Sequence, residues 1–106
     1  MSVQVQNVRL SEDAVARAWA GAVIDTDGWI GLSGSPLKYA RAIVTNQNLE
    51  IISALLRHFG GGARFAQPGV KGPIWEWYRG GEGPAMAFIE AISPYSTKAQ
   101  AFLGGN

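Results

Sequence analysis

The chain contains no cysteine and a single histidine, His58. Disulfides and thiolate metal sites are therefore excluded, as is a metal cage built mainly of imidazoles within one chain; without cysteine the redox compartment stays open. An excess of one charge is missing too. Nine Lys and Arg stand against eight Asp and Glu, leaving a net +1, which is weak support for any polyanionic partner. No apolar run reaches the ~18 residues of a membrane span, so no membrane partner is expected. Residues 1–10 lack the basic-then-apolar order of a secretory signal, so the chain is expected to be intracellular and not secreted.

What is present suffices for one core. The 106 residues are 47% apolar and include four Trp, four Phe and three Tyr, which suits a single domain over residues 1–106. Residues 1–10, polar with Val3, Val5 and Val8 alternating, read as an extended or loose arm. Ser11 then offers an N-cap, with Glu12 and Asp13 in the first turn and Leu10 and Val15 spaced as a hydrophobic staple. The helix is expected to run to about Ile24, with Val15, Ala18, Trp19, Ala22 and Val23 on its apolar stripe and Gly28 as its stop. Two strands, Trp29–Ser35 and Tyr39–Thr45, follow through the turn Ser35–Lys38. Leu49, Ile52, Leu55, Leu56 and Phe59 then repeat at helical spacing over Asn46–Phe59, and Gly60–Gly62 ends that run. Strands at Ala63–Gln67 and Ile74–Arg79, a helix at Pro84–Ile92 and a short one from Lys98 to Leu103 complete the chain. Helix, hairpin, helix, hairpin, helix predicts an α+β domain in which helices cover one face of a four-stranded antiparallel sheet and leave the other open.

The stretch Ala20–Trp29 is the most specific part of the sequence. It carries small residues along an apolar helix and ends in Asp25, Asp27 and Gly28. Acids at a helix C-terminus oppose the macrodipole, by about 0.3–1 kcal/mol each, and repel one another. A cation is needed there, and a divalent metal ion is the natural candidate. An EF-hand loop starting at Asp25 fails because Pro36 stands at the twelfth position, where Glu is required. An Asp-x-Asp-Gly phosphatase motif should follow a buried strand in a much longer chain, and a merely solvated helix end remains the plain alternative. Gly60–Gly62 is not a phosphate loop, since no Lys-Ser/Thr pair follows. His58 reads as a surface group suited to a helix C-terminus.

Ala20–Gly28 resembles the signature nonapeptide of the LAGLIDADG homing endonucleases. Val44-Thr45-Asn46 is similar to that family's second active-site segment, and Ser93-Pro94-Tyr95 followed by Lys98-Ala99-Gln100-Ala101 resembles its C-terminal pattern. The resemblance covers nearly the whole chain and implies an αββαββα fold with a saddle-shaped sheet. It implies a metal-dependent, site-specific endonuclease that hydrolyses both strands of a pseudo-palindromic DNA duplex as a homodimer. Non-cleaving DNA-binding modules and RNA-splicing maturases share the fold and remain alternatives.

By the same resemblance Asp27 is the catalytic, metal-binding acid, with the Thr26 carbonyl as a further ligand. Mg²⁺ is the expected ion, Mn²⁺ a second and Ca²⁺ a non-cleaving substitute. Asn46 is expected to position water. Lys98 corresponds to the active-site lysine, although anchoring on Gln100 puts Thr97 at that position instead. Gly21, Ala22 and Asp25 are expected at the dimer interface. Asp25, about 200° round the helix from Asp27, is also expected to be a hydrogen-bond partner near the helix end. The open sheet face is expected to enter the major groove, with Ser33, Ser35, Lys38, Tyr39, Arg41, Arg64, Lys71, Glu76 and Tyr78 toward DNA, and Trp75 and Trp77 toward the core. A chain ending at Asn106 is short for the family's last helix, which leaves open that it is half of a larger pair.

Overall fold

In the computed structural model the described backbone covers residues 2–69 and 72–104, with side chains described at 13–66 and 72–104. Nine elements follow in order: α1 (Ser2–Asp27), β1 (Gly28–Ser33), β2 (Tyr39–Asn46), α2 (Leu49–Phe59), β3 (Gly62–Gly69), β4 (Gly72–Gly80), α3 (Pro84–Ile92), a 3₁₀ turn (Ser93–Tyr95) and α4 (Thr97–Gly104). The expected αββαββα order is therefore present. The main difference lies at the start. Residues 2–10 are not an extended arm but the first turns of α1, and Ser11 lies inside the helix rather than at its N-cap. No Gly or Pro interrupts residues 2–19, so nothing local stops the helix from propagating backwards past Ser11.

The strands form one sheet in the order β1-β2-β4-β3, antiparallel throughout. The two hairpins meet through β2 and β4, where Val44 pairs with Trp77 and Ile43 with Tyr78. Alternation sends Ala40, Ala42 and Val44 of β2 and Trp77 of β4 into the core. From the helices come Ala20, Val23 and Ile24, Ile52 and Leu55, Ala85, Phe88, Ile89 and Ile92, and Ala99. Trp77 is fully buried, donates its indole N–H to the Gly60 carbonyl at 2.8 Å and meets Phe88 edge-on at 5.1 Å. That hydrogen bond satisfies the one polar atom the indole carries into the core.

Burial corrects the expected stripe of α1. Val15 is 67% exposed and Ala22 is exposed, whereas Ala20, Val23 and Ile24 face the core. Every buried strand residue points to the side the helices cover. Among the described residues the opposite face of the sheet carries no helix and presents Trp29, Ser33, Tyr39, Arg41, Ile43, Thr45, Arg64, Glu76 and Tyr78.

Candidate active site and nucleic-acid interface

Asp27 is the last residue of α1 and Gly28 the first of β1, so the chain leaves the helix directly into the sheet. A Cβ at Gly28 would lie 2.8 Å from the Ile24 Cα and 3.0 Å from the Ile24 carbonyl oxygen. The glycine is needed here for close approach, and its φ is not positive. No basic residue occupies the last turn of α1. A cation comes instead from α4: the Lys98 ammonium donates to the Gly28 carbonyl at 2.7 Å. Asp27 itself is exposed, and its Oδ2 accepts a 3.0 Å hydrogen bond from Asn46 Nδ2. The Asn46 Oδ1 accepts from the Asn48 backbone N–H at 2.7 Å, which fixes the amide so that its NH₂ faces the carboxylate. Asn48 in turn caps α2, accepting from Glu50 N at 2.9 Å. A continuous polar chain thus runs from the end of α1 through the end of β2 to the start of α2.

Asp25 has a different fate. Its Oδ1 accepts from the Ser96 hydroxyl at 2.7 Å and the Lys98 N–H at 3.2 Å. Its Oδ2 accepts from the Thr97 N–H at 2.9 Å and the Thr97 hydroxyl at 3.1 Å. Ser96, 1% exposed, also accepts from the Ala99 N–H at 3.1 Å, so two side chains cap α4 together. Desolvation pushes the Asp25 carboxyl up, but the hydrogen bonds from Thr97, Ser96 and Lys98 outweigh it and bring the pKa from 3.8 down to about 2.

The sites expected from sequence divide accordingly. Asp27 and Asn46 are in contact. Lys98 reaches the junction that follows Asp27, while Thr97 spends both its N–H and its hydroxyl on Asp25. The Thr26 hydroxyl turns back onto its own helix, to the Ala22 and Val23 carbonyls at 3.1 and 3.2 Å. Gly21 does not present an open surface for a second helix. It is buried against Tyr95, where a Cβ would meet the Tyr95 Cβ at 2.8 Å and its carbonyl oxygen at 2.9 Å. Asp25 is likewise satisfied within the chain, as the expected partner near the helix end, which leaves Ala22 as the exposed member of the expected dimer contacts.

On the open sheet face stand Ser33, Tyr39, Arg41, Arg64, Glu76 and Tyr78, as their alternation requires. Ser35 and Lys38 lie exposed in the β1–β2 connection, and Lys71 falls outside the described residues. Arg64 donates to Glu76 at 2.9 Å, and the Arg41 guanidinium lies over the Tyr78 ring, 5.3 Å from its centroid. Three residues were not anticipated. Trp29, 46% exposed, sits on this face beside Asp27; Asn48 and Ser96 hold the ends of α2 and α4. The polar residues just ahead of the apolar runs of α2 and α4 are a cap signature, so Asn48 and Ser96 were open to inference.

As hard oxygen donors, the Asp27 carboxylate and the Thr26 carbonyl fit Mg²⁺ or Ca²⁺. Among the described residues no three His, Cys, Asp or Glu side chains gather at one metal-sized site.

A scan of protein-family models finds no match, and a search of curated proteins finds none either. Solved structures do match. The chain is similar to the homing endonuclease I-CvuI in complex with its target in the presence of calcium, at 22% identity and a TM-score of 0.71, over 88% of this chain and 65% of that one. It is similar also to I-CvuI in complex with the I-CreI target in the presence of magnesium with the DNA not cleaved, at 21% identity and a TM-score of 0.72, with 88% and 65% covered. The meganuclease I-SmaMI bound to uncleavable DNA matches at 12% identity and a TM-score of 0.58, over 82% of this chain and 34% of that one. The chain thus spans 65% of the length of I-CvuI and about a third of I-SmaMI. At these identities the likeness is one of fold: the chain adopts the LAGLIDADG homing-endonuclease fold.

Proposed function

We propose that this chain is a metal-dependent endonuclease that binds duplex DNA on the open sheet face and hydrolyses phosphodiester bonds in both strands as a homodimer. The observation that carries the proposal is the Asp27–Asn46 pair, a solvent-facing carboxylate held by an oriented amide at the junction of α1 and the open sheet. A buried structural acid would have its oxygens filled, as Asp25 does; the Asp27 Oδ1 accepts no hydrogen bond from the described residues. Asp27 and the Thr26 carbonyl would hold Mg²⁺, which when bound supplies Lewis-acid stabilisation and an activated water at a phosphate. Asn46 holds the carboxylate in place, and Lys98, donating to the Gly28 carbonyl just after Asp27, is the cation suited to a phosphate oxygen there. A homodimer would bring a second Asp27 beside the first, one for each strand of the duplex. The exposed small-residue face of α1, through Ala22, is the surface on which a second α1 would pack; small side chains permit the close approach that adjoining helices need.

A non-cleaving DNA-binding module is the second reading, favoured by a specific observation. The Lys98 ammonium is engaged by the Gly28 carbonyl and Arg64 by Glu76, which leaves few free cations to neutralise phosphates. Asp27→Asn separates the two readings. With Mg²⁺ present, wild type should cut a duplex that both proteins bind in Ca²⁺, and the variant should lose about 10³-fold or more in cutting rate, of the order expected when a charge-stabilising group is removed. Chelation of the metal should stop cleavage by wild type. A wild type that binds a duplex and never cuts it leaves the binding module as the correct reading.

A further inference from the structure

The floor of the open sheet face holds a cleft of about 270 Å³ lined by Ser33, Tyr39, Arg41, Tyr78, Gly80 and Gly81. Arg41 stands at its centre because of its register. Its cross-strand neighbours are Gly31 on β1 and Gly80 on β4, so neither side offers a side chain to cover it. The space above Gly31 is taken by the Trp29 ring, whose Cζ2 lies 2.4 Å from where a Cβ would stand. On the Gly80 side the nearest contact to such a Cβ is Arg41 Cγ at 3.9 Å, so that side is open. The guanidinium is held in one orientation by Tyr78, over whose ring it lies. Its Nε is shielded from solvent and finds no acceptor among the described residues. With its Nε buried beneath it, the guanidinium has its terminal nitrogens as the fork available to a ligand in the cleft.

Building on the duplex-binding reading above, we infer that Arg41 is a specificity-determining residue that recognises a guanine through the major groove. An arginine fork matches the O6 and N7 acceptors of guanine, and no other base presents that pair. The position selects a base over a phosphate. Arg41 is on β2, an inner strand of the sheet, so a sheet laid in the groove directs it at base edges. Lys38, on the exposed β1–β2 connection, is at the rim where phosphates pass. The other arginine of this face is unsuited to the task, because Arg64 is committed to Glu76. Tyr78 and the hydroxyls of Ser33 and Tyr39 frame the fork and restrict its approach. A homodimer would place the requirement once in each half-site.

The test is selection from a randomised duplex library by binding in Ca²⁺, followed by sequencing, for wild type, Arg41→Lys and Gly80→Val. Arg41→Lys keeps the charge and removes the fork. Gly80→Val fills the cleft while leaving Arg41 in place; Gly80 has no positive φ, and a β-branched residue suits a strand. Thermal melting of both variants accompanies the selection. Wild type should select guanine at one position per half-site by about tenfold or more. Arg41→Lys should lose that preference while the remaining positions stay as they are, and Gly80→Val should weaken it. A consensus unchanged in Arg41→Lys, a uniform loss of affinity across all sequences (the mark of a phosphate contact), or a wild-type consensus without guanine overturns the inference alone. A wild type that binds no duplex overturns it together with the proposed function.

Discussion

Asp25 and Asp27 stand two residues apart at the negative end of one helix, yet the fold directs them to opposite uses. Asp25 is drawn inward by four hydrogen bonds from Ser96, Thr97 and Lys98, and Asp27 is left facing solvent with one. The first arrangement has a stability consequence whose sign is fixed. The Asp25 carboxyl titrates at about 2 in the folded chain against an ordinary 3.8, so its contribution is fully present above about pH 4 and is lost as pH falls toward 2. Asp25→Ala removes a cap of α4 and should cost about 1–2 kcal/mol at neutral pH. In urea unfolding, the gap between wild type and variant should close at about pH 2; a gap that is constant with pH would assign the loss to packing. At this scale Asp27 and Asn46 were legible because a motif carried them, and the direction of Glu76 and Tyr78 because strand alternation did. The engagement of Asp25 was only half legible. Its partners lie more than 70 positions away, and no local pattern records which of two nearby acids a distant helix will claim.

Among the elements, α1 is the one whose faces the sequence left ambiguous. Apolar residues stand on both its buried and its exposed side, so periodicity reached Val23 but could not say that Val15 and Ala22 look outward while Ala20 and Ile24 look in. Its true start was hidden for a related reason: a plausible cap at Ser11 lies inside a run that nothing breaks. The hairpins and α3 were clearer, because Gly and Pro bound them and apolar spacing fills them; Pro84–Ile92 is a helix over those same residues. Gly21 shows what α1 requires of its neighbours. It lets the helix touch Tyr95 of the 3₁₀ turn, against backbone that cannot yield as a flexible side chain would. Gly21→Ala should therefore destabilise the fold by about 1–3 kcal/mol through overpacking, despite the better helix propensity of alanine. Thermal unfolding checks this, and an unchanged or higher melting temperature would mean that the 3₁₀ turn gives way freely.

For the molecule as a whole, element order was enough to reach the architecture, since two hairpins alternating with apolar helices admit few packings. Composition was weak support for a nucleic-acid partner, because a net charge does not record where the cations stand; register puts Arg41 and Arg64 on the open face, the latter paired with Glu76. The proposed dimer has its own test. Ala22 is exposed in the single chain, so Ala22→Glu should leave the melting of the isolated domain within about 0.5 kcal/mol. Sedimentation should nonetheless shift from dimer to monomer, and double-strand cleavage should fall with it. A wild type that sediments as a monomer at all concentrations would remove the paired site.

On the proposed function, the open sheet selects a duplex and Asp27 cuts it. Incubating a randomised duplex library with wild type and Mg²⁺, then sequencing the cut ends beside those from Asp27→Asn, tests both halves together. A near-palindromic consensus with cuts placed symmetrically about its centre should appear for wild type and be absent for the variant. Ends that show no consensus, or that appear equally with Asp27→Asn, would contradict it.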